Sequence, residues 1–287
     1  MLWLFLARWY ARVLYHLGKR FQLCPPSLGW ICRRIHREFV LEVEGCRYVF
    51  HPPAASMYSL LIGGRFPEQE THVFFQRILP SAPLCTFIDV GAAVGEMIAD
   101  VLRYPAVQAI VGFEPNSDYA EACRRHAKLA GYGGLTMVER VVSDREEVVD
   151  FIFNRGHGTS GSIASHPDHR SERVVSTTLD AICADVSGEV LMLIDVEGAE
   201  LKVISGARNL IDRAHPLIIF EYNEISRKHF QLEQIRSVLG EGYTIHRLRS
   251  DGMLDDDLRE TWNCVAVFES SVWSGLARGV LKPRRAS

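Results

Sequence analysis

Phe87-Ile88-Asp89-Val90-Gly91-Ala92-Ala93-Val94-Gly95 is an apolar run that closes on a carboxylate and then turns through two glycines toward an amphipathic stretch. The pattern reads as a strand, a tight turn and a helix start, where glycine lets the backbone approach a ligand and the first helical N–H groups lack partners. Outward from it, short apolar runs alternate with helical periodicity. Strands are expected at Thr86 to Val90, Ala109 to Phe113, Leu135 to Val142, Val190 to Ile194, Leu217 to Glu221, Tyr243 to Arg247 and Cys264 to Phe268. Helices are expected near Gly95 to Tyr104, Ser117 to Gly131, Glu200 to Asp212 and Ser226 to Leu239, with another at Pro67 to Leu79. The alternation predicts an α/β fold, a doubly wound and mostly parallel sheet of seven strands. A hairpin is expected ahead of it, with arms Glu38 to Val43 and Arg47 to Phe50 around Glu44-Gly45.

Ligands on such sheets bind beyond the carboxyl ends of the strands. The second strand closes with Gly112-Phe113-Glu114-Pro115-Asn116, one βα unit after the glycine turn, and an acid there can take both hydroxyls of a ribose. Asp89 sits just before the turn, where it would repel a dinucleotide's pyrophosphate but not a sulfonium. That favours S-adenosylmethionine over a nicotinamide cofactor. A dehydrogenase is further disfavoured because the chain lacks GxGxxG and a Tyr and Lys pair at catalytic spacing.

The blocks FIDVGAAVGE, GFEPNSD, VVSDREEVVDF, GTSGSI, STTLDAI, LIDVEGAELKVISGA and PLIIFEYN follow one another between about Pro67 and Asn223. In that order they resemble the FkbM-type methyltransferase family. The resemblance implies a class I methyltransferase fold with S-adenosylmethionine as methyl donor and a sugar hydroxyl or related oxygen as acceptor. It implies that Asp89, Gly91, Ala92 and Gly95 surround the methionine part of the cofactor. Glu114, with Pro115 beside it, would hold the ribose, and Ser143 and Asp144 would lie at the adenine. Two positions depart from the family's common pattern: Ala93 stands where Asn is usual, and Leu193 where Lys is usual.

Methyl transfer to oxygen needs alignment and a group that takes or acidifies the hydroxyl proton. Asp195, Glu197 and Glu200 follow the fourth core strand, and Glu221, Asn223 and Glu224 follow the fifth. Asp195, Glu197 and Glu221 are the candidate catalytic residues, while Glu200 and Glu224 are expected to face solvent. Asp195, Glu221 and Asn223 also resemble the Mg²⁺ site of catechol O-methyltransferase, which shares the fold. His157 is more simply a surface loop residue than a base, and His166 and His169 lack a third metal ligand. The segment Gly156 to Val175 is expected to be a lid that sets specificity. Two readings stay open beside sugar O-methylation: a peptide or nitrogen acceptor, and a non-catalytic cofactor-binding protein.

With 287 residues, 47% of them apolar, the chain can bury one large core. Its seven cysteines include no CxxC pair and read as reduced buried thiols in a cytoplasmic protein. Residues 1–37 carry Arg8, Arg12, Lys19, Arg20, Arg33, Arg34 and Arg37 but no acid, and residues 271–287 carry Arg278, Lys282, Arg284 and Arg285. Those eleven of the 32 basic residues leave 21 against 35 acids between them, a poor surface for nucleic acid. Near the start, Leu2, Leu6, Trp9, Tyr10, Val13, Leu14, Leu17 and Phe21 share one helical face opposite Arg8, Arg12 and Lys19. Arg8 and Arg12 interrupt the run too early for a membrane span. The expected organisation is an N-terminal helix and hairpin over 1–55, a methyltransferase domain over 56–270 and a basic tail over 271–287. Expected partners are a sugar or glycolipid acceptor and a second copy as a homodimer; the apolar face of residues 1–22 is expected either to pack on protein, as a lid over the cleft or a dimer contact, or to meet an anionic inner membrane surface.

Overall fold

The computed structural model describes Trp9 and residues 40–43, 45–49, 68–152, 162–163 and 171–282. The hairpin forms as β1 (Val40–Val43) and β2 (Cys46–Val49), antiparallel, with Gly45 at φ 80° supplying the left-handed turn. In chain order there follow α1 (Gln69–Ile78), β3 (Cys85–Val90), α2 (Glu96–Val101), β4 (Val107–Phe113), α3 (Ser117–Ala130), β5 (Leu135–Val138), β6 (Val141–Val142), β7 (Val148–Ile152), β8 (Ser162–Ile163) and β9 (Ser171–Thr177). The second half comprises α4 (Leu179–Ile182), β10 (Glu189–Ile194), α5 (Glu200–Ser205), α6 (Arg208–Ala214), β11 (Leu217–Glu221), α7 (Ser226–His229) and α8 (Leu232–Leu239). It ends with β12 (Tyr243–Leu248), β13 (Leu254–Asp255), β14 (Asn263–Phe268) and α9 (Val272–Gly279).

The main sheet has eight strands in the order β13-β12-β14-β11-β10-β3-β4-β5. From β11 to β5 neighbours are parallel, and β14 enters antiparallel between β11 and β12. Strand order reverses between β3 and β10, where a doubly wound sheet opens its ligand crevice. Apolar residues alternate to both faces. Phe87, Leu191, Leu193, Ile219 and Val265 meet α1, α2 and α9 on one side. Ile88, Met192, Ile194, Phe220 and Cys264 meet α4, α5, α6 and α8 on the other. Burying a Leu, Ile or Phe of this kind contributes about 1.5–3 kcal/mol, and both faces are needed to cover the sheet.

Several expected elements are divided. The predicted strand Leu135 to Val142 is two: β5 pairs with β4 in the main sheet, while β6 pairs with β9 in a separate sheet ordered β6-β9-β7-β8. The helix expected over Glu200 to Asp212 breaks between α5 and α6, because a Cβ at Gly206 would lie 2.2 Å from the Ser143 carbonyl oxygen. Asp180 bridges the break by accepting from Asn209 N (3.0 Å) and Leu210 N (2.9 Å) at the start of α6. The helix expected over Ser226 to Leu239 is interrupted at Phe230, and α8 starts afresh on a Gln231/Gln234 capping box.

The stretch 271–287, read as a basic tail, starts with α9, whose Trp273 and Ala277 are buried in the core. The N-terminal amphipathic helix, apart from an exposed Trp9, lies outside the described residues, as do His157, His166, His169 and much of the expected lid. Residues 171–175 of that lid are strand β9. Cys46, Cys85, Cys123, Cys183 and Cys264 are buried free thiols, as expected. Among the described residues no helix is long and apolar enough to cross a membrane.

Candidate active site

Alternation along the strands gathers the acids. Phe87, Leu191, Leu193, Leu217 and Ile219 point to the α1/α2 face, so Asp89, Asp195 and Glu221, each an even number of residues on, continue toward the same face. Asp89 pairs in register with Leu193 and Gly112, and Glu221 pairs with Asn263 on β14. The β10–β11 register, which ends at Ile194 and Phe220, continues to set Asp195 beside Glu221. Glu114, two residues beyond Gly112, completes a row of acids along the carboxyl ends of β4, β3, β10 and β11.

The glycine turn holds this row together. Gly91, at φ 91°, crosses so close to β10 that a Cβ would fall 1.9 Å from the Asp195 carbonyl oxygen, so only glycine fits. Gly91 N and Ala92 N both donate to the Phe113 carbonyl at 3.0 Å, and Asp195 N donates to the Val90 carbonyl at 2.9 Å. Ala93 is held at φ 45°, and its N–H donates to Glu114 Oε2 (3.0 Å). Asn116 N donates to Glu114 Oε1 (2.7 Å). Gly95, at φ 78°, starts α2 against Cys123 and His126.

Burial without counter-charge dominates the electrostatics. Asp89 is 2% exposed, and its Oδ2 has no hydrogen-bond partner among the described residues. Burial, then the charges of Asp195 and Glu114, push its carboxyl up to about 8. Burial raises Glu114 to about 7 against the opposing pull of its two backbone N–H donors. Asp195 is raised to about 6 by burial. Glu221 rises to about 9 through burial and then the charges of Asp195, Glu197 and Glu200. Its Oε2 is likewise without a partner.

A cleft opens beside this row. Gly91, Glu114, Pro115, Asp195 and Glu197 line it. Asp89, Ala92, Gly95 and Glu221 are not among the residues that line it. Ser143 and Asp144 do not line the cleft. Ser143 is buried, with its N–H on the Thr177 carbonyl (2.8 Å) and its hydroxyl donating to Asp144 Oδ1 (3.1 Å), while Asp144 is exposed. Arg140, Val141, Val142 and Phe151 form that wall instead.

Glu200, expected at the surface, is fully buried; its Oε1 accepts from Gly198 N (3.0 Å) and Val196 N (3.3 Å) and so shapes the loop that carries Glu197 at φ 54°. Glu224 is exposed as expected. Asn223 shapes the turn into α7: its Oδ1 accepts from Ile225 N (2.7 Å) and Ser226 N (3.1 Å), and its amide donates to Glu221 Oε1 (2.6 Å). With that oxygen occupied and the NH₂ turned to the carboxylate, Asp195, Glu221 and Asn223 do not fit a Mg²⁺ site. Among the described residues no group of three His, Cys, Asp or Glu side chains is arranged to hold a metal.

One residue of the site escaped the sequence reading. Glu68, at the start of α1, is raised well above the ordinary carboxylate range by burial and then by the negative charge of Asp195. Its sequence neighbourhood, Pro67-Glu68-Gln69-Glu70, looks like an ordinary acidic helix start.

No functionally curated protein matches the chain. Among solved structures, it is similar to methyltransferase FkbM from Methylobacillus flagellatus KT, with 16% identity and a TM-score of 0.45 over 74% of this chain. It spans 54% of that protein's length. It is also similar to M. jannaschii TYW2 in complex with AdoMet, with 11% identity and a TM-score of 0.41 over 80% of this chain and 84% of that one. The ribosomal protein L11 methylase from Lactobacillus delbrueckii subsp. bulgaricus gives 16% identity and a TM-score of 0.39, over 72% and 82%. The methyltransferase FkbM domain model matches residues 89–248, more than half of the chain and every core strand from the end of β3 through β12, so the chain belongs to that family.

Proposed function

We propose that the protein is an S-adenosylmethionine-dependent O-methyltransferase whose acceptor is a hydroxyl of a sugar, on a glycan, glycolipid or natural product. The observation that carries this reading is the buried Asp89 Oδ2, without a hydrogen-bond partner among the described residues, beside a turn that a single Cβ would block. A cationic cofactor suits those acids. Asp89 and the 91–95 turn would hold its methionine end and Glu114 its ribose, with the apolar wall of Val141, Val142 and Phe151 beside the base. When bound, S-adenosylmethionine supplies a sulfonium methyl, which passes to the acceptor oxygen with release of a neutral thioether and a proton.

Asp195 takes that proton. Raised to about 6, it is ionised at neutral pH and more basic than an ordinary carboxylate. Glu221, raised to about 9, stays protonated and donates a hydrogen bond that orients the acceptor. Asp195→Asn is expected to slow transfer by about 10²-fold or more while leaving S-adenosylhomocysteine affinity unchanged. Wild-type activity is expected to rise with pH through about 6 and to persist in excess chelator.

Incubation with methyl-labelled S-adenosylmethionine and a fractionated cell extract tests the acceptor class: label in glycan or glycolipid supports the reading, and label confined to peptide redirects it to a nitrogen or peptide acceptor. Residues 1–22, basic on one helical face and apolar with Trp3, Trp9 and Tyr10 on the other, support peripheral contact with an anionic membrane. Their deletion is expected to abolish sedimentation with anionic vesicles and spare activity on a soluble acceptor.

A further inference from the structure

Three residues of the turn that follows β3 are left-handed: Gly91 (φ 91°), Ala93 (φ 45°) and Gly95 (φ 78°). Glycine holds that conformation freely, whereas alanine brings its Cβ too close to the following carbonyl oxygen, so Ala93 keeps it only because its surroundings enforce it. Ala93 also lines the cleft. Were it to relax to negative φ, the backbone between Gly91 and Gly95 would be redirected.

The βα unit of β4 and α3 grips both polar backbone atoms of this residue. From the end of β4, Glu114 Oε2 accepts the Ala93 N–H (3.0 Å). From α3, Cys123 Sγ donates to the Ala93 carbonyl oxygen (3.4 Å). Cys123 is fully buried. Burial, then the charges of Asp89 and Glu114, raise its thiol well above the ordinary value, so it is an S–H donor and not a thiolate. Close packing keeps α3 in that place: a Cβ at Gly95 would fall 2.9 Å from Cys123 Sγ and 3.1 Å from His126 Nδ1. Tyr48 of the hairpin meets the His126 ring edge-on, with centroids 6.0 Å apart. At the start of the same helix the Asn116 side chain accepts from Asp118 N (3.0 Å).

Resting on the cofactor reading, we propose that Cys123 is a positioning residue for cofactor binding: its thiol, acting through the Ala93 carbonyl, holds the turn in the form that receives the methionine end of S-adenosylmethionine. A thiol is a weak donor, and its bond counts here because the residue it holds would otherwise leave its conformation. Without the donor, part of the population relaxes, and apparent affinity falls with the fraction that stays competent. A residue at ease in the left-handed region does not need the donor, so the effect of Cys123 depends on which side chain stands at position 93.

The test uses the full chain as wild type, C123S, C123A, A93G and the double variant A93G/C123A, with S-adenosylhomocysteine as the calorimetric probe. Affinity in C123S, which keeps a donor, is expected to stay within about twofold of wild type, while C123A loses about fivefold. In the A93G background the same C123A change is expected to cost less than about twofold. The infrared S–H stretch that disappears in C123S is expected at the position of a hydrogen-bonded thiol. The proposal is overturned if C123A costs as much affinity in both backgrounds, which would make Cys123 a packing residue only, if C123S binds as weakly as C123A, if C123A binds like wild type, or if the band lies at the position of a free thiol. If C123A fails to fold, the S–H band still decides. A wild type that binds no S-adenosylhomocysteine sinks the cofactor reading, and the band then tests the Cys123 contact by itself.

Discussion

Glu114 ties two loops together and, on the proposed reading, would also hold the ribose. It faces the cleft where a ribose would sit, and its two oxygens already take the N–H groups of Ala93 and Asn116, tying the glycine turn to the next βα loop. Glu114→Ala is therefore expected to weaken S-adenosylhomocysteine by about 1.5–3 kcal/mol in calorimetric titration, the scale of charged hydrogen bonds lost inside a site. It should also lower the melting temperature, because two buried N–H groups lose their acceptor; an unchanged affinity would remove Glu114 from the cofactor site. Asp89, Gly91 and Glu114 were legible in sequence because strand, turn and acid follow in fixed order. The backbone at residue 93 was not. Its φ of 45° is a conformation that Asn tolerates better than Ala, which gives a physical reason for the family's usual Asn there. Glu68 was illegible for a different reason, since nothing local to an acidic helix start says that the charge of Asp195, far along the chain, will act on it.

Between the strands, the loop 195–199 depends on a single buried side chain. Glu200 holds the N–H groups of Val196 and Gly198 and thereby the left-handed pair Glu197 (φ 54°) and Gly198 (φ 102°). A Cβ at Gly198 would meet His229 at 2.6 Å, so the loop has little room to relax. Glu200→Ala is expected to cost about 1.5–3 kcal/mol in urea unfolding, with a loss of methyl transfer larger than the loss of cofactor affinity. A change within about 0.5 kcal/mol would mean that the loop is held by its glycine and strand contacts alone. The elements themselves were readable wherever periodicity is local: β3, β4, β10, β11 and β14 fall close to the apolar runs that announced them. What periodicity could not show were the breaks between β5 and β6 and between α5 and α6. Those breaks are set at a distance, the first by pairing with β9 and the second by the approach of Gly206 to Ser143.

Across the whole molecule, the fold buries four acids at or beside the strand ends and gives them no basic partner among the described residues. Asp89 rises from 3.8 to about 8, Glu114 from 4.5 to about 7, Glu200 from 4.5 to about 7 and Glu221 from 4.5 to about 9, each chiefly by burial. A carboxyl whose value is higher in the folded chain binds more protons there than in the unfolded chain, so its stabilising contribution is complete below about pH 4 and is lost as pH climbs through the folded value. Asp251, Asp255 and Asp257, lowered chiefly by hydrogen bonds from arginines and backbone N–H groups, act in the opposite sense and only at the acid end. The cofactor-free protein is thus expected to be most stable near pH 5 and to lose stability between pH 5 and 8, against the usual direction of acid denaturation. A cationic ligand reverses the effect by favouring ionised acids. A cofactor analogue with an ammonium in place of the sulfonium should raise the melting temperature more at pH 8 than at pH 5.5, and S-adenosylhomocysteine, which lacks that charge, should do so less. Melting curves across this range decide the matter: if the cofactor-free protein grows more stable from pH 5 to 8, or if both ligands stabilise equally at the two pH values, the acid row is not the electrostatic trap described here, and the choice of a sulfonium cofactor loses its main physical support.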